Sequence, residues 1–330
     1  MAKKQTDFEN KLESLEKKYG IGRVCSDEGT VVSTGSIQLN AATGIGGTLT
    51  GKMIELSGQE SSGKSTLALH QLAEYQKAFP DKKVALFDFE HSEDMKYIKN
   101  IGIDPERLLI YQPETMEEGY NMILDLIKID EVSCIVVDSQ SAAPPKAVLE
   151  GEMEDSTIGL QARINSKFCM KVKGLMSIHK VTLFIISQLR DKIGGYGETT
   201  ITTGGNAFKF YADMRWKIWK TAKKDDGLNI TTIDVVKSKI GKPYGQAKLN
   251  IVWGVGIDKV GEVIDYAVEM KLIGKGGGWY DVEGMKLREK DMRILINDNQ
   301  EYYESLRNRV IQYVMNKETN EEPIETNSSN

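Results

Sequence analysis

The stretch MIELSGQESSGKST, at residues 53–66, decides the fold of this chain. Its first part, Met53–Ser57, is a strand-forming run, and the loop that follows fits the pattern G-x-x-x-x-G-K-[ST] at every fixed position. A helical pattern then extends from Thr66 to Phe79. Because such a loop points backbone N–H groups and a helix N-terminus at phosphate groups, the stretch predicts a nucleotide-binding α/β fold.

Two side chains of the loop carry the chemistry expected of it. Lys64 is expected to contact the β- and γ-phosphates of ATP, and the hydroxyl of Ser65 is expected to bind Mg²⁺. A chance glycine-rich turn is the competing interpretation, but the flanking strand and helix favour the nucleotide loop. The predicted ATP-binding residues of this stretch are Gly58, Gln59, Glu60, Ser61, Ser62, Gly63, Lys64, Ser65 and Thr66.

Outward from the loop, short apolar runs alternate with helical stretches from about Lys52 to Lys220. This alternation is typical of an α/β core with a mainly parallel central sheet covered by helices. The predicted strands are Met53–Ser57, Val84–Asp88, Cys134–Asp138 and Val181–Ser187, with further β-like runs at Tyr211–Trp219, Asn229–Lys239 and Ala247–Val252. The aromatic residues assigned to the core are Tyr111, Trp216, Trp219 and Trp253.

Two carboxylates follow predicted strands and complete the expected site. Asp138 ends the apolar run that begins at Cys134, so we expect it to hold Mg²⁺ directly or through water. An aspartate at a strand end is otherwise usually a helix cap, and the pairing with the phosphate loop favours the metal role. Glu90 follows another strand and is the expected general base, while His91 beside it is assigned a structural role.

Composition excludes several classes of protein. The 330 residues are 40% hydrophobic and 28% charged, which is typical of a globular chain and not of a fibrous or wholly disordered one. No apolar run approaches the roughly 20 residues of a membrane helix, so we expect no membrane partner. Three widely spaced cysteines form no CxxC pair, which indicates the cytoplasm. A net charge of -5 still allows a local basic stripe to bind nucleic acid.

The ends of the chain differ in pattern from its middle. Phe8, Leu12, Leu15 and Tyr19 share one face of a helix, which packs either on its own core or on a neighbouring subunit. We predict four segments. They are 1–32 with an N-terminal oligomerisation helix, 33–255 with the ATPase core, 256–316 with a small C-terminal α+β domain, and 317–330 with a disordered tail.

Four motifs together resemble those of the RecA family of DNA strand-exchange recombinases. They are the loop at 58–65, FDFEH at 87–91, TTGGNAFKFY at 202–211 and VKSKI at 236–240. The likeness runs in unbroken order from Ser33 to Tyr280. It implies a RecA-like P-loop ATPase core that binds ATP and Mg²⁺. It also implies a protein that forms helical filaments on single-stranded DNA, pairs them with homologous double-stranded DNA and exchanges strands with DNA-stimulated ATP hydrolysis.

The resemblance also implies roles for residues around the nucleotide. Glu90 matches the glutamate that activates water, and Gln188 matches the residue that senses the γ-phosphate and leads into a DNA-binding loop. Asp94 and Tyr97 match residues that hold the adenine, Tyr97 by stacking. The residues matched to lysines that reach the ATP of the adjacent protomer are Lys237 and Lys239.

Two loops match the DNA-binding loops of the family. The first spans about Gly151 to Gly159, and the second runs from Leu189 to Thr203 and ends where a helix begins. A solvated loop without a partner is the alternative for the second, but 15 residues without secondary structure are uncommon in a compact domain unless they function. An apolar Ile193 is suited to wedge between base steps. The predicted DNA-binding residues are Arg163, Ser166, Arg190, Lys192, Ile193, Gly204, Gly205 and Asn206.

Two other functions compete with the recombinase. One is a RecA-core DNA motor, either a hexameric helicase or a branch-migration ATPase, and the latter predicts a zinc site for which the chain has no CxxC. The other is a signalling ATP sensor, which needs neither the lysine pair nor the two loops. The motifs favour the recombinase.

Overall fold

The computed structural model describes residues 10–11, 13–14, 29–152, 159–191, 200–223 and 228–320. The chain divides into two compact units, Met1–Thr30 and Val31–Asn330. In the first unit residues 10, 11, 13 and 14 are helical, and the other residues of the predicted helix lie outside the described residues. Its role in packing against another subunit therefore stays a prediction.

The second unit begins with the elements that surround the phosphate loop. They are β1 Val31–Val32, α1 Ile37–Ala42, β2 Thr48–Leu49, β3 Met53–Gly58, α2 Lys64–Ala78, β4 Lys83–Asp88, α3 Met95–Ile101, β5 Leu108–Tyr111, α4 Met116–Leu126 and β6 Val132–Asp138. The next are α5 Lys146–Glu150, α6 Leu160–His179, β7 Thr182–Asp191, β8 Thr200–Thr202, α7 Ala207–Tyr211, β9 Met214–Lys223, β10 Leu228–Ser238, β11 Gln246–Val252 and β12 Gly256–Ile257. The last are α8 Lys259–Glu269, β13 Gly274–Gly276, β14 Trp279–Val282, β15 Met285–Leu287, α9 Glu289–Asp298 and α10 Gln300–Asn320.

A ten-stranded sheet organises the part of the second unit that the structure describes. Its order is β12-β11-β10-β9-β3-β7-β6-β4-β5, with β8 added alongside β7. The strands from β9 to β5 in this order are parallel, whereas β10, β11 and β12 continue the sheet in antiparallel fashion. The predicted mainly parallel sheet is confirmed. Its geometry brings the carboxyl ends of β3, β4, β6 and β7 to one edge, where ligands bind in such folds.

Each face of the sheet carries its own apolar core, because successive side chains of a strand point to opposite faces. Ile54 and Leu56 of β3 pack with α2 on one face, whereas Met53 packs with α4 and α6 on the other. Trp216 is fully buried, as predicted, but Trp253 is 85% exposed, which corrects its assignment to the core. It follows the last residue of β11 and is flanked by a turn that contains Gly254.

The elements after β12 surround a third apolar core. Side chains of α8, β14, α9 and α10 form it together with Ile37 and Ala41 of α1. The helix α10 reaches Asn320, so residues 317–320, which the sequence pattern placed in the disordered tail, are helical. Lys317 Nζ lies 2.9 Å from a carboxylate oxygen of Glu269 on α8, which fixes this end of the helix. Residues 321–330 lie outside the described residues.

Within the described ranges, helices long and apolar enough to cross a bilayer are absent. The longest helices, α6 and α10, both carry many charged side chains along their length.

Candidate functional site

The phosphate loop links β3 to α2 as the sequence pattern predicts. Gly63 is the residue just before α2, and its φ of 94° lies in the left-handed region that favours glycine. A Cβ at Gly63 would lie 2.8 Å from Cδ1 of Ile251, so a side chain there does not fit without movement. The backbone of the loop therefore approaches its neighbours closely, and its N–H groups face the cleft at the N-terminus of α2.

A cleft of about 260 Å³ lies over this loop. The ammonium of Lys64 donates to the carbonyl oxygen of Gln59 at 2.6 Å, and burial lowers the pKa of Lys64 although nearby carboxylates oppose this. The hydroxyl of Ser62 is buried and has no hydrogen-bond partner among the described residues. A phosphate oxygen fits this orphaned hydroxyl. The cleft is lined by Ser61, Ser62, Gly63, Lys64, Ser65, Thr66, Tyr97, Asn229, Thr231, Ile251 and Trp253.

Asp138 lies at the carboxyl end of β6, in register with Asp88 of β4. Burial raises the pKa of Asp138 to about 6, while a hydrogen bond from Ser65 lowers it. One carboxylate oxygen of Asp138 is buried without a partner among the described residues. Among the described residues, no group of three or more His, Cys, Asp or Glu side chains is arranged to hold a metal ion without other ligands. The donors therefore fit a Mg²⁺ that takes one carboxylate, one hydroxyl and oxygens of the nucleotide, which is how Mg²⁺ is usually held with phosphates.

Glu90 and Gln188 meet at the same edge of the sheet. Oε1 of Glu90 accepts hydrogen bonds from Nε2 of Gln188 at 3.0 Å and from Oγ of Ser139 at 2.7 Å. These residues follow β4, belong to β7 and follow β6, respectively. Three strands thus hold one exposed carboxylate beside the cleft, in a position to orient it toward a water molecule.

Hydrogen bonds to Asp88, which the sequence pattern did not reveal, fix the backbone around Glu90. Asp88 accepts the backbone N–H groups of Glu90 and Ser92, each at 3.0 Å, and the side-chain amide of Gln112 at 3.1 Å. Burial first, and then a hydrogen bond with Asp88, raises the pKa of Glu93 to about 8. The turn that carries the predicted base is therefore held by side chains from β4 and the end of β5.

The predicted adenine side of the cleft contains one more aromatic residue than expected. The hydroxyl of Tyr97 lies 2.7 Å from Oγ1 of Thr66, while Asp94 caps α3 by accepting from the backbone N–H of Lys96 at 2.8 Å. Trp253 lines the same cleft and is exposed. The sequence feature that could have indicated this position is the glycine-containing turn after β11, because a residue in such a turn lies outside the sheet.

Lys237 and Lys239 do not join this cleft. In the sheet register, Lys237 of β10 pairs with Arg215 of β9, and Arg215 pairs with Glu55 near the start of β3. The phosphate loop follows the other end of β3, so Lys237 lies toward the opposite end of these strands from the loop of its own chain. Nζ of Lys237 donates to the carbonyl oxygens of Lys209 and Phe210 at 2.8 and 2.9 Å, at the end of α7. Burial, followed by the neighbouring cations, lowers the pKa of Lys237.

Those predicted DNA-binding residues that the structure describes lie on or next to β7, β8 and α6. The second loop is shorter than predicted, because β7 extends to Asp191 and the β-branched run Thr200–Thr202 pairs with it as β8. Arg163 and Arg190 are exposed, and Ser166 is half-buried on α6. Residues 153–158 of the first loop and 192–199 of the second, with Lys192 and Ile193, lie outside the described residues.

The glycines after β8 seat the chain against α6. Gly204 and Gly205 have φ values of 79° and 84°, in the left-handed region. A Cβ on Gly205 would lie 2.6 Å from Cβ of Ala162. Asn206 follows, exposed, immediately before α7. The segment thus brings the stem of the second loop onto the helix that continues the first.

Comparison with known proteins gives a consistent result. A family model described as the RecA N-terminal domain matches residues 6–258. Protein RecA of Chloroherpeton thalassium is 45% identical over 287 residues, which cover 84% of this chain and 80% of that protein. Protein RecA of Chlorobaculum tepidum is 42% identical over 318 residues, covering 92% and 90% of the two chains. Protein RecA of Porphyromonas gingivalis is 39% identical over 318 residues, covering 92% and 93%.

Proposed function

The chain belongs to the RecA family of DNA recombinases, and from that premise we propose how its own residues bind ATP, Mg²⁺ and DNA. As a member of this family it is a DNA-dependent ATPase that binds nucleotide and DNA and assembles into filaments. The finer proposal is that filaments form first on single-stranded DNA and then take up homologous double-stranded DNA, in the cytoplasm.

The proposal for ATP assigns tasks to the polar side chains around the phosphate loop. Lys64 and the loop N–H groups bind the phosphates, Ser62 Oγ donates to a phosphate oxygen, and Ser65 with Asp138 holds Mg²⁺. When bound, Mg²⁺ neutralises charge on the phosphate oxygens. Glu90 orients a water molecule toward the γ-phosphorus and accepts its proton as the new P–O bond forms, while the bond from the γ-phosphorus to the β–γ bridging oxygen breaks and ADP leaves with that oxygen.

The hydrogen bond between Gln188 and Glu90 is the single observation that supports coupling of hydrolysis to DNA. Its 3.0 Å length joins the proposed base to β7, and β7 continues through exposed Arg190 into the second loop. A loop displaced by DNA therefore pulls on the side chain that holds the base. Arg163, Ser166 and Arg190, with Lys192 and Ile193, are proposed to follow the DNA backbone without reading bases.

The lysine pair is proposed to act across the interface between protomers. It lies beside the starts of the parallel strands β3 and β9, whereas the phosphate loop of the same chain follows the end of β3. A head-to-tail interface that brings one end against the other repeats without closing and gives an open helical filament. Each active site then contains Lys64 from one protomer with Lys237 and Lys239 from the next.

Electron microscopy with a slowly hydrolysed ATP analogue tests this function together with a strand-exchange assay. We expect open helical filaments on single-stranded DNA and transfer of a homologous strand, both dependent on nucleotide. Closed rings that fail to exchange strands would contradict the proposal and indicate a RecA-core motor. Heterologous duplex DNA is the matched control, since only homologous duplex supports exchange.

A further inference from the structure

Three polar side chains lie buried in the apolar core between α4, α6 and the sheet. Asn165, Gln140 and Tyr120 are 0%, 1% and 3% exposed. Tyr120 stacks on Phe168 with 4.0 Å between ring centroids, and Val172 is buried in the same core. Burying amide groups among such side chains costs free energy unless every polar atom finds a partner. The partners of these amides are therefore informative.

Two of these side chains, Gln140 and Asn165, form what we call the amide node. Nδ2 of Asn165 donates to Oε1 of Gln140 at 3.0 Å and to the carbonyl oxygen of Gly204 at 2.8 Å. Nε2 of Gln140 donates to the carbonyl oxygen of Thr203 at 2.8 Å. Oδ1 of Asn165 accepts from the hydroxyl of Tyr120 at 2.6 Å. The node thus donates hydrogen bonds to the carbonyl oxygens of two successive residues, Thr203 and Gly204, at the stem of the second loop.

The stem fits the amide node closely. A Cβ at Gly204 would lie 2.5 Å from Oε1 of Gln140 and 2.7 Å from Nδ2 of Asn165, and its φ of 79° also favours glycine at this close approach. Asn165 belongs to α6, the helix that carries Arg163 and Ser166. The node therefore ties the second loop to the helix that continues the first.

The segment that supplies the glutamine of the amide node also touches the catalytic carboxylate. Oγ of Ser139 donates to Oε1 of Glu90 at 2.7 Å. Oγ of Ser141 accepts the backbone N–H of Gln188 at 2.9 Å and the hydroxyl of Thr203 at 2.6 Å. Hydrogen bonds on the successive residues 139, 140 and 141 thus connect the loop stem with the proposed base through this short stretch of backbone, and buried networks of this kind hold one arrangement rigidly.

We propose that Gln140 and Asn165 are positioning residues that transmit DNA binding at the loop stem to Glu90. The inference rests on the proposed roles of the second loop and of Glu90. Because the amide node fixes residues 203–204 to both α6 and the segment after β6, displacement of the stem by DNA moves the groups that hold the base. Small misplacements of such groups change rates by large factors.

Two substitutions each remove one amide of the node, one on α6 and one in the segment after β6. Asn165→Leu removes the amide on α6, and Gln140→Met removes the other while keeping nearly the same volume and leaving α6 unchanged. The matched control is Tyr120→Phe, which removes a hydrogen bond from the same buried network on the side away from the loop. If the network serves stability alone, the control and the two test variants behave alike.

ATP hydrolysis by the full chain is measured without DNA and with saturating single-stranded DNA, alongside thermal unfolding. For Asn165→Leu and Gln140→Met we expect DNA-stimulated kcat to fall about tenfold, with the KM for ATP within about twofold of that of the unmodified chain. We expect Tyr120→Phe to lower the unfolding temperature but to keep its stimulation by DNA within about twofold.

Some outcomes would overturn this inference without touching the proposed function. If the unmodified chain is stimulated by DNA and a folded Gln140→Met is stimulated equally, the amide node does not transmit the signal. A loss of stimulation in Tyr120→Phe equal to that in Gln140→Met would reduce the network to a structural role. If the unmodified chain itself shows no stimulation by single-stranded DNA, the proposed function fails first. If Asn165→Leu does not fold, Gln140→Met alone decides the question.

Discussion

At the carboxyl ends of the parallel strands, buried polar atoms lack hydrogen-bond partners in the part of the chain that the structure describes, whereas at the opposite end of the sheet the two lysines already donate hydrogen bonds within the chain. Ser62 Oγ and one oxygen of Asp138 are buried without partners among the described residues. Lys237 and Lys239 instead donate to the carbonyl groups that end α7. For the proposed functions, the phosphate end has unpaired groups available for phosphate and Mg²⁺ among its described residues, whereas the two lysines would first have to give up their hydrogen bonds to α7.

This difference is the basis of the proposed dependence between assembly and nucleotide binding. In the proposed contact, the cations at one end of a protomer face the phosphate site at the other end of its neighbour, so bound ATP would bridge the two protomers and stabilise their contact. The internal bonds of Lys237 are to Lys209 and Phe210 of α7, which begins directly after the stem of the second loop. The lysine end therefore lies next to the proposed DNA-binding segment of its own chain.

The largest effect is expected from removing the main cation of the phosphate end. Lys64→Ala should abolish nucleotide-dependent DNA binding and lower ATP affinity by about ten- to hundredfold, because a hydrogen bond to a charged group contributes about 1.5–3 kcal/mol. Equilibrium nucleotide binding and filter binding of single-stranded DNA measure both effects. Lys128→Ala, which removes an exposed lysine paired with Asp125 on the surface, is the control. Normal hydrolysis by Lys64→Ala would refute the nucleotide site.

Glu90→Gln should separate binding from turnover at the same end. The neutral amide keeps the shape but cannot accept a proton from water, so we expect DNA-stimulated kcat to fall by about 10²–10⁴. ATP and DNA binding should persist, since Lys64, Ser65 and Asp138 are unchanged. Single-turnover hydrolysis with saturating DNA gives the rate. An unchanged rate would remove Glu90 from the mechanism.

The lysine end is tested by Lys237→Ala combined with Lys239→Ala. We expect the free protomer to bind nucleotide normally but to lose stable filaments and about tenfold or more of DNA-stimulated hydrolysis, since positive charge at the γ-phosphate of the neighbour is lost. Lys217→Ala, which changes an exposed lysine of β9, is the control. Light scattering and hydrolysis rates measure the two losses.

Mixing this double variant with Lys64→Ala shows whether the two ends belong to different protomers. In an equal mixture, roughly a quarter of the interfaces combine an intact phosphate end with an intact lysine end, so part of the activity should return. A fluorescent label on each variant establishes that the two assemble together. Co-assembly without any return of activity would show that the lysines do not act across the interface.

The phosphate end was largely predictable from sequence because its signals are local. A strand, a glycine loop and a helix follow one another within residues 53–79, and the structure places β3 at Met53–Gly58 against a predicted Met53–Ser57. Asp138 likewise ends an apolar run whose burial on both faces follows from its composition. The periodicity and spacing of these residues are local features of the sequence, so they can be recognised without knowing the tertiary structure.

Other features depend on contacts between distant parts of the chain. Asn165 and Gly204 are 39 residues apart, and no local pattern marks their hydrogen bond. The short edge strand β5, Leu108–Tyr111, was missed because four residues, one buried and three half-buried, carry no distinct period. Lys237 bonds the end of α7 only because β9 and β10 bring the two together. Sequence places such residues on an element, but tertiary packing decides what they touch.

The smallest effect concerns Trp253 and sharpens the description of the phosphate end. Its exposed ring lines the cleft with Tyr97, so we expect it to stack on the base of ATP. Stacking of a base on an aromatic side chain contributes about 1–3 kcal/mol, and for a ring this open to solvent Trp253→Ala should lower ATP affinity by about five- to tenfold. Trp253→Phe should keep most of the affinity, because it retains an aromatic face.

Inorganic tripolyphosphate has no base, so its affinity should be the same for all three proteins. ATP should also quench tryptophan fluorescence in the unmodified chain and far less in Trp253→Phe, since the other three tryptophans, Trp216, Trp219 and Trp279, do not line the cleft. Equal losses of affinity for ATP and tripolyphosphate would show that Trp253 supports the loop and does not contact the base.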